Sequence, residues 1–569
     1  MKKCPKCSRV YADESLNFCL DDGEPLNGAD LDSEMLTAIQ SPGLATGEAI
    51  NDRSAATART AILPTSELGE FLPKSSSTRY WFAAGSVVLL AFVGYFGYRY
   101  YFAHSNLPIT SIAVLPFKNR GGEADTQYLS EGLAESLIYR LSQLPDLKVS
   151  PTSSVFRYED KDVDPVAVGN ELGVNAVVSG RIVPHGDSIT ISADLVDIRD
   201  NRLIWGEQYD RKMSELLDTQ REIAREIVEN LKLKVSPQEK GLSKHYTESN
   251  EAYQLYLKGR FYWSKRESDS MHKSIQFYQQ AIEVDPNFAL AYSGLADTYN
   301  LISVPEAGGG DESPNDVLPK AKTAALKALQ IDDSLAEAHV SLAHPLYYYD
   351  RDFVGAEREF KRAIELNPNY AVAHHWYAVF LTVVGRQPEA LAEIKRAQEL
   401  DPLSLSINVW VGWILALNGQ LDKAYDQLIK TKEMDPNFPL TLHRLALLYT
   451  EKNMYDEAIT EANNLLRGSA SKLGTITLAY AYAKAGMRAK AQDQLDKLIA
   501  SSKKGFVSSG SIAMVYAQLG DKDTAFKWLE IANDEHDMIV LRIKHDPRFA
   551  SLRGDPRLDA LVKRIGIPE

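Results

Sequence analysis

Cysteine is nearly absent from this 569-residue chain, which has three, all within its first nineteen residues. No disulfide is therefore needed beyond the N-terminus, and the rest of the chain tolerates an oxidising compartment. The sequence also lacks a Walker phosphate loop, a GxGxxG turn after a strand, an HExxH motif and a GxSxG motif. Because these motifs mark common classes of enzyme, their absence predicts a protein with no catalytic residues, no cofactor-binding loop and no small-molecule substrate.

An excess of basic residues is also missing, since 77 acidic residues face 63 basic ones and the formal charge is −14. A general nucleic-acid binder needs a basic stripe, so the charge argues against that class. The hydrophobic share of 44% and the charged share of 25% are ordinary for globular protein. The length exceeds what one hydrophobic core organises, so several domains are expected.

Four segments of the second half follow one pattern, each ending in Asp-Pro or Asn-Pro. The last three of their prolines are 34 residues apart, in the series Pro286, Pro368, Pro402 and Pro436. Small residues recur twelve places before these prolines and, except at Thr431, five places before. Large apolar residues recur eight places before them, at Tyr278, Phe360, Ile394 and Leu428. A period of 34 with helix–turn–helix content resembles the tetratricopeptide repeat (TPR) family.

This resemblance implies an all-α TPR solenoid of about eight repeats over residues 250–540. Small residues would let helices approach, and large ones would fill the gap to the next repeat. The Gly- and Pro-rich stretch 304–319 is predicted to be a loop inserted within one repeat. A solenoid without a catalytic cluster is typical of a binding surface for protein partners.

The family pattern also implies a concave groove, lined by the first helix of each pair, that binds a peptide or a partner helix. The groove positions carried over to this chain are Tyr348, Tyr349, His375, Trp413, His443 and Leu447. This face is aromatic and apolar, and it lacks the Lys/Arg cluster with which some relatives clamp a C-terminal carboxylate. The alternative is that these side chains only pack against their neighbours or the inserted loop.

The N-terminal segment, 1–26, contains a metal-ligand pattern. Two thiolates two residues apart can share a zinc ion, and a Cys-x2-Asp half-site follows, so the candidate ligands are Cys4, Cys7, Cys19 and Asp22. The segment resembles the zinc ribbons that open many bacterial membrane proteins, which implies a structural zinc. A metal-free segment, or Cys19 as a free thiol, remains the alternative.

Residues 27–79 have no sustained apolar period and are predicted to be a flexible linker. The nineteen residues 80–98 carry no charge and span roughly 28 Å as a helix, close to the thickness of the hydrocarbon layer. With aromatic residues at both ends, the stretch 80–101 predicts one transmembrane helix. Reduced cysteines favour a cytoplasmic N-terminus, which would place the remaining domains in the periplasm.

Residues 109–235 alternate strand and helix patterns in the order βαβαβββα, which predicts an α/β domain with a mixed sheet. The stretches 112–117, 128–149, 171–182 and 203–211 resemble the TolB amino-terminal-like (FlgO-like) domain, a family that supplies no catalytic residues. The C-terminal stretch, 541–569, repeats Asp-Pro-Arg and is predicted to cap the solenoid.

The sequence thus predicts a multidomain fold: a small zinc ribbon, one transmembrane helix, a mixed-sheet α/β domain and an all-α solenoid. It resembles a bacterial, membrane-anchored TPR protein, single-pass in the inner membrane. The function expected is a non-enzymatic scaffold that binds protein partners in an envelope or signalling complex. The alternative is a transmembrane regulator that signals through its ribbon to a cytoplasmic nucleic-acid or transcription partner.

Overall fold

A computed structural model describes most of the chain beyond residue 107. The described residues are 2–3, 10–11, 27–28, 108–120, 126–144, 146–159, 161–231, 246–304, 312–468, 471–503 and 505–568. They belong to two compact units, Met1–Leu90 and Ala91–Glu569. The predicted membrane segment 80–101 and nearly all of the linker 27–79 lie outside the described residues, so both stay predictions.

The first unit contains a small antiparallel sheet of three two-residue strands. The strands are β1 (Lys2–Lys3), β2 (Val10–Tyr11) and β3 (Asn27–Gly28). β1 lies in the centre and pairs with both of the others. This sheet places the start of the predicted ribbon segment beside the first two residues of the predicted linker.

The second unit begins with a mixed β-sheet, which confirms the predicted α/β domain. Its strands are β4 (Ser111–Val114), β5 (Lys118–Asn119), β6 (Lys148–Val149), β7 (Ala176–His185), β8 (Ser188–Asp197) and β9 (Arg202–Lys212). The strand order is β6-β4-β7-β8-β9, with β5 beside β7. β4 is parallel to β6 and β7, whereas β7, β8 and β9 are antiparallel neighbours.

The residues of the sheet explain its layout. All four residues of β4 are buried, as a parallel strand covered on both faces requires. The two hairpin turns contain Gly186 and Asn201 at φ 59° and 49°, the left-handed conformation that tight turns favour. Gly180 lets the Phe117 ring approach the sheet, because a Cβ there would lie 2.5 Å from that ring.

Four helices accompany the sheet: α1 (Gln127–Leu141), α2 (Thr152–Val155), α3 (Pro165–Leu172) and α4 (Leu216–Asn230). The bounds of α3 follow from its sequence. The Asp164 side chain accepts a hydrogen bond from the Val166 backbone N–H, and Pro165 occupies the first turn, where its missing N–H costs nothing. Gly173 ends the helix at φ 65°.

Between Asn250 and Asp534 the described residues form eight helix pairs, which confirms a helical solenoid after the sheet domain. The pairs are α5 (Asn250–Ser264) with α6 (Ser268–Val284), α7 (Ala289–Ile302) with α8 (Pro314–Ile331), α9 (Ala336–Pro345) with α10 (Phe353–Leu366), α11 (Ala371–Val383) with α12 (Gln387–Leu400), α13 (Leu405–Leu417) with α14 (Leu421–Met434), α15 (Pro439–Glu451) with α16 (Tyr455–Arg467), α17 (Ser471–Lys484) with α18 (Arg488–Ser502), and α19 (Ser509–Gln518) with α20 (Lys522–Asp534).

The repeat pattern has a direct structural meaning. Each of the four prolines stands two residues after the end of a second helix, where a proline cannot continue the helix. The large residues eight places earlier are fully buried. Tyr278 shows why small neighbours are needed, because a Cβ on Gly294 would lie 2.5 Å from the tyrosine ring.

The predicted loop 304–319 is wrong over its last six residues. Helix α8 begins at Pro314, so 314–319 are helical. Proline fits the first helical position, where the backbone N–H has no partner in any case. The helix also accommodates Pro319 in its second turn.

Helix α1 of the sheet domain packs against α5, the first solenoid helix. Arg260 Nε donates a 2.8 Å hydrogen bond to Glu135, and the Tyr253 hydroxyl donates one of 2.8 Å to Ser136 Oγ. Gly132 permits the close approach, because a Cβ there would lie 3.0 Å from the Leu257 side chain. The sheet domain is thereby joined to the solenoid through a polar contact and a close packing contact.

A second contact joins the sheet domain to the middle of the solenoid. The hydroxyls of Ser153 and Ser154, on α2, both donate to the Asp401 carboxylate, the latter at 2.7 Å. Asp401 is 4% exposed, and burial raises the pKa of its carboxyl against the opposing effect of the two serines. The sheet domain therefore reaches past the first repeats to the turn before α13.

The chain after α20 folds back over the solenoid. We call residues 536–552 the C-terminal segment; it contains α21 (Met538–Arg542) and the 3₁₀ turn Pro547–Leu552, and α22 (Pro556–Ile565) follows. Its Phe549 and Leu552 are fully buried. Helix α22 buries Leu558, Leu561 and Ile565 on one face.

Candidate partner-binding groove

The first helices of the pairs, together with α1 of the sheet domain, line a cavity of about 870 Å³. Side chains from α5, α7, α9, α11 and α13 contribute to its wall, and so does Arg542 of the C-terminal segment. These first helices are the elements from which the family resemblance predicts a groove. The inner face of the solenoid is therefore partly covered by other parts of the same chain.

Two of the predicted groove residues, Tyr348 and Tyr349, lie in a π-helical turn, Leu346–Asp350, that follows α9. Tyr348 is 3% exposed, and its hydroxyl accepts a 3.2 Å hydrogen bond from the Met538 backbone N–H. The Tyr349 ring is half-buried and stacks on His536 with 4.4 Å between centroids. Both tyrosines thus contact the C-terminal segment.

Trp413, on α13, is 3% exposed beneath two arginines. The Arg444 guanidinium carbon lies 4.4 Å from its ring centroid, and that of Arg548 lies 5.6 Å away. The neighbouring Trp410 has Arg542 at 5.1 Å in the same kind of contact. Guanidinium groups over indole rings are favourable cation–π contacts, so the C-terminal segment binds here through its arginines.

His443 and Leu447, both on α15, are 2% and 1% exposed. His443 Nδ1 lies 2.8 Å from the Thr477 hydroxyl of the next repeat, so the side chain links two inner helices. His375, on α11, is buried against Trp376 and belongs to the cavity wall. Burial, with a smaller effect of Arg266, lowers the pKa of His375 to about 3, so the imidazole is neutral.

The inner face therefore has two parts. In the filled part, around Trp413, the C-terminal segment packs on the predicted groove residues. In the open part, around Trp376, the face borders the cavity. Of the six predicted groove residues, His375 lines the cavity, whereas the other five pack outside its wall.

Sequence reasoning missed the charged side chains of the open part. Asp297 and Glu337 lie on the inner helices α7 and α9 and line the cavity together with Arg266. Burial raises the pKa of Asp297 to about 6 and that of Glu337 to about 7. One signal was available, since Asp297 is the only charged residue of α7, but the family pattern gives no reason to select it.

The proposed zinc ligands Cys4, Cys7, Cys19 and Asp22 lie outside the described residues, so zinc binding stays a prediction. In the part of the chain that the structure describes, no cluster of three or more His, Cys, Asp or Glu side chains is placed to hold a metal ion. Over the same described ranges, no helix is both long and apolar enough to cross a membrane.

Two family models match this chain. Residues 109–226 match the second domain of HilA/YgeH-like transcriptional regulators, and residues 359–392 match the tetratricopeptide repeat. The first match falls on the mixed-sheet domain, whose TolB-like resemblance stays a prediction. The second takes in most of α10 and the whole of α11.

A curated relative from Rhizobium meliloti (strain 1021), named "Putative adenylate cyclase 3", is 31% identical over 242 residues. The match takes in 42% of this chain and 41% of that protein, so the chain spans about two fifths of the relative's length.

Solved structures that resemble the chain include yeast Tom70, with 16% identity and a TM-score of 0.37 over 56% of this chain and 69% of that one. Pseudomonas aeruginosa pilF has 20% identity and a TM-score of 0.28, and the match covers 36% of this chain and 90% of that one. A thermophilic TPR protein of Thermus thermophilus has 17% identity and a TM-score of 0.29 over 38% and 99%. All three scores are below 0.5, so the fold assignment depends on the helix pairs and the family match. The chain contains a tetratricopeptide repeat within a helical solenoid, after a domain similar to the second domain of HilA/YgeH-like regulators.

Proposed function

We propose that this chain is a non-enzymatic, membrane-anchored scaffold whose repeats bind peptide or helix segments of partner proteins in an envelope or signalling complex. One observation carries the proposal: eight stacked helix pairs present an inner face that other parts of the same chain cover only in part. Stacked repeats of this kind are typical of extended binding surfaces. The cyclase name of the Rhizobium relative adds no activity here, because the match takes in only 41% of that protein.

In this proposal residues 80–101 cross the inner membrane once, with the N-terminus in the cytoplasm and the sheet domain and repeats in the periplasm. Cys4, Cys7, Cys19 and Asp22 hold a structural zinc ion. A reporter active only in the periplasm, fused after Glu569 or before Tyr80, tests this arrangement. Activity at the C-terminal fusion alone supports it, and activity at the N-terminal fusion alone contradicts it.

Partner binding is tested by photo-crosslinking from single positions in the full chain, in its native membrane. Tyr349 and Trp376 lie on the inner face and keep partial exposure. Val354, at the start of the outer helix α10, is 81% exposed and serves as the matched control. We expect protein adducts from the two inner positions and none from Val354. Equal adducts from all three positions, or none from the inner face, would contradict the groove.

A second candidate function is a transmembrane regulator that signals to a nucleic-acid or transcription partner in the cytoplasm. The match of residues 109–226 to a domain of transcriptional regulators favours it. This candidate predicts that residues 1–79 of the full chain contact a specific cytoplasmic partner and release it when zinc is chelated. Contacts that survive chelation would count against signalling through the ribbon.

A further inference from the structure

The cavity on the open part of the inner face has the size of a ligand site. Its volume of about 870 Å³ falls within the range of roughly 300–1,000 Å³ that is usual for small-molecule pockets. A partner helix, about 10–12 Å across with its side chains, needs an open groove. Here α1 of the sheet domain lies on one side of the space and α21 of the C-terminal segment borders another. The space therefore suits a small molecule better than a helix.

Most charged side chains that border the cavity have partners within the protein. Glu135 and Arg260 form an ion pair with hydrogen bonds. Asp401 accepts hydrogen bonds from two serines, as described above. Arg140 Nε donates a hydrogen bond of 3.0 Å to Gln220 Oε1. These groups need nothing further from a ligand.

Two carboxylates are exceptions. Asp297 accepts a hydrogen bond from the Ser341 hydroxyl, and Ser341 lies one helical turn after Glu337 on α9. Neither Asp297 nor Glu337 forms an ion pair within the part of the chain that the structure describes. Their raised pKa values, given above, reflect burial, which outweighs the opposing charges of Arg260 and, at Asp297, of Arg266; the charge of Asp297 raises the pKa of Glu337 further. Two half-buried carboxylates in this state bind either protons or a cation from outside.

One cation shares this space. The Arg266 guanidinium carbon lies 3.8 Å from the centroid of the Trp263 ring, and Arg266 has no ion pair among the described residues. Its charge acts on both Asp297 and His375, so the guanidinium lies near these two side chains. Arg266 has five N–H donors, which suit a carboxylate. The half-buried charges around Asp297 that have no ion pair among the described residues are thus Asp297, Glu337 and Arg266, whereas Glu267, next to Arg266 in the wall, is exposed.

The rest of the wall includes three half-buried aromatic residues. Trp263, Tyr370 and Trp376 are half-buried and line the cavity. The Trp376 ring is held from behind by His375 and His344, with centroids 5.3 Å and 5.4 Å away. Burial lowers the pKa of His344 to about 3, so both imidazoles are neutral and add no charge. Rings held in this way offer apolar surface to the body of a ligand.

We propose that this cavity binds a small zwitterion with an apolar side chain, an amino acid or a short peptide. The ammonium group binds between Asp297 and Glu337, the carboxylate binds Arg266, and the apolar side chain lies on Trp376 and Tyr370. Each of the three unpaired charges then has a partner of opposite sign. The inference goes beyond partner capture, because it concerns a different class of ligand, although Trp376 belongs to the inner face in both cases.

The test is isothermal titration calorimetry on the purified full chain, with phenylalanine and the dipeptide Phe-Leu as probes. We expect at least one probe to bind, and its N-acetylated or C-amidated form to bind at least tenfold more weakly. Binding of phenylalanine alone identifies an amino-acid site, and binding of the dipeptide identifies a peptide site. Absence of binding by both probes overturns the proposal, as does equal binding of the blocked forms.

Substitutions then locate the site. The variants D297N/E337Q and R266Q should each weaken binding at least tenfold, whereas E365Q/R396Q, on exposed outer-helix positions, should leave it unchanged. In R266Q the amidated and free forms should bind equally, because the group that distinguishes them is gone. Unchanged affinity in both cavity variants overturns the assignment. If a variant fails to fold, the blocked probes on the native chain still decide the outcome.

Discussion

The two parts of the inner face differ in where their charges find partners. In the filled part, the C-terminal segment brings its own ion pair, Asp546 with Arg548, whose side chains are only 2% and 3% exposed. In the open part, Asp297, Glu337 and Arg266 border a cavity and have no ion pair among the described residues. In the same repeat architecture, the filled part is thus a packed core with its charges paired, whereas the open part contains charges without an ion pair within the described ranges.

This difference teaches that aromatic residues on a repeat face do not by themselves indicate a partner site. Trp413 and Trp376 occupy inner helices of neighbouring pairs, yet one is covered by two arginines and the other borders open space. What separates them is a segment that lies more than a hundred residues further along the chain. Charge without a partner is the better sign of a site that is available.

The largest expected effect comes from comparing W413A with W376A. Removing the buried Trp413 leaves a large cavity beneath two guanidinium groups, so we expect a loss of about 3–5 kcal/mol in the free energy of unfolding. Removing the half-buried Trp376 ring should lower the free energy of unfolding by only about 1–2 kcal/mol. Urea denaturation of the full chain, followed by far-ultraviolet circular dichroism, measures both. Equal losses would mean that the two parts do not differ in packing.

The next effect concerns the buried ion pair of the filled part. D546N leaves the Arg548 guanidinium buried without its counter-charge, which we expect to cost about 3 kcal/mol. The charge and hydrogen bonds of Arg548 outweigh burial and hold the pKa of Asp546 below its ordinary value. The contribution of Asp546 to the free energy of unfolding is therefore present above about pH 4. It is lost as the pH falls through the pKa of Asp546 in the folded protein.

The matched control for that pair is D162N, since Asp162 pairs with Lys118 while 99% exposed. An exposed pair is solvated and screened and contributes little, so D162N should leave the denaturation midpoint where it is in the parent protein. The same denaturation series measures it. A loss as large as that of D546N would show that burial does not set the cost.

The open part is tested by pH. With pKa values of about 6 and 7, Asp297 and Glu337 are protonated in the folded protein between about pH 4.5 and 6, where the unfolded chain has released both protons. They therefore stabilise the fold at low pH and lose that contribution as pH rises. In D297N/E337Q, stability relative to the parent protein should rise with pH, by up to about 2.7 kcal/mol per pH unit in this window.

The two histidines of the cavity wall change the stability with pH in the opposite direction to the two acids. Burial lowers the pKa values of His344 and His375 to about 3. These two groups therefore stabilise the fold above roughly pH 6.5, and that contribution is lost as the pH falls. They are present in both proteins, so they cancel in the difference between the double variant and the parent. A difference that stays constant from pH 4.5 to 7 would show that the two acids are not perturbed.

The smallest effect concerns the contact between the sheet domain and the solenoid. S153A/S154A removes both hydroxyl donors from the buried Asp401, which we expect to cost about 1–2 kcal/mol. Hydrogen exchange should increase at α2 and at the turn before α13. S501A, which removes an exposed hydroxyl bonded only to the backbone of its own helix, is the control and should leave exchange unchanged.

Periodicity was enough to predict the helices of the repeats and most elements of the sheet domain, but not the short strand β5 or the short helix α2. Because proline ends helices and small residues allow close packing, Pro368 and Ala363 could be placed from spacing alone. Five of the six strands of the sheet domain were predicted as well; β4, for example, is a short run of buried residues. Periodicity did not predict where α8 begins. Pro314 is typical of a loop unless it is known to occupy the first turn of a helix.

The candidate site was only partly predictable. Spacing places Tyr348 and Trp413 on inner helices, but it does not reveal that Met538 and Arg548 return to cover them. It gives no weight to Asp297 or Arg266, because their significance depends on which other charges lie nearby. Such contacts depend on the curvature of the whole solenoid, which no local pattern encodes.

The hydrogen bonds between α2 and Asp401 have a consequence for how the protein is made. Ser154 and Asp401 are 247 residues apart, so at roughly 5–20 residues per second the ribosome needs about 10–50 s to synthesise the intervening chain. During that time the sheet domain has its strands and helices but not its distant acceptor. The surface that later meets the fifth helix pair is then open to other molecules, and chaperones have that interval in which to bind it.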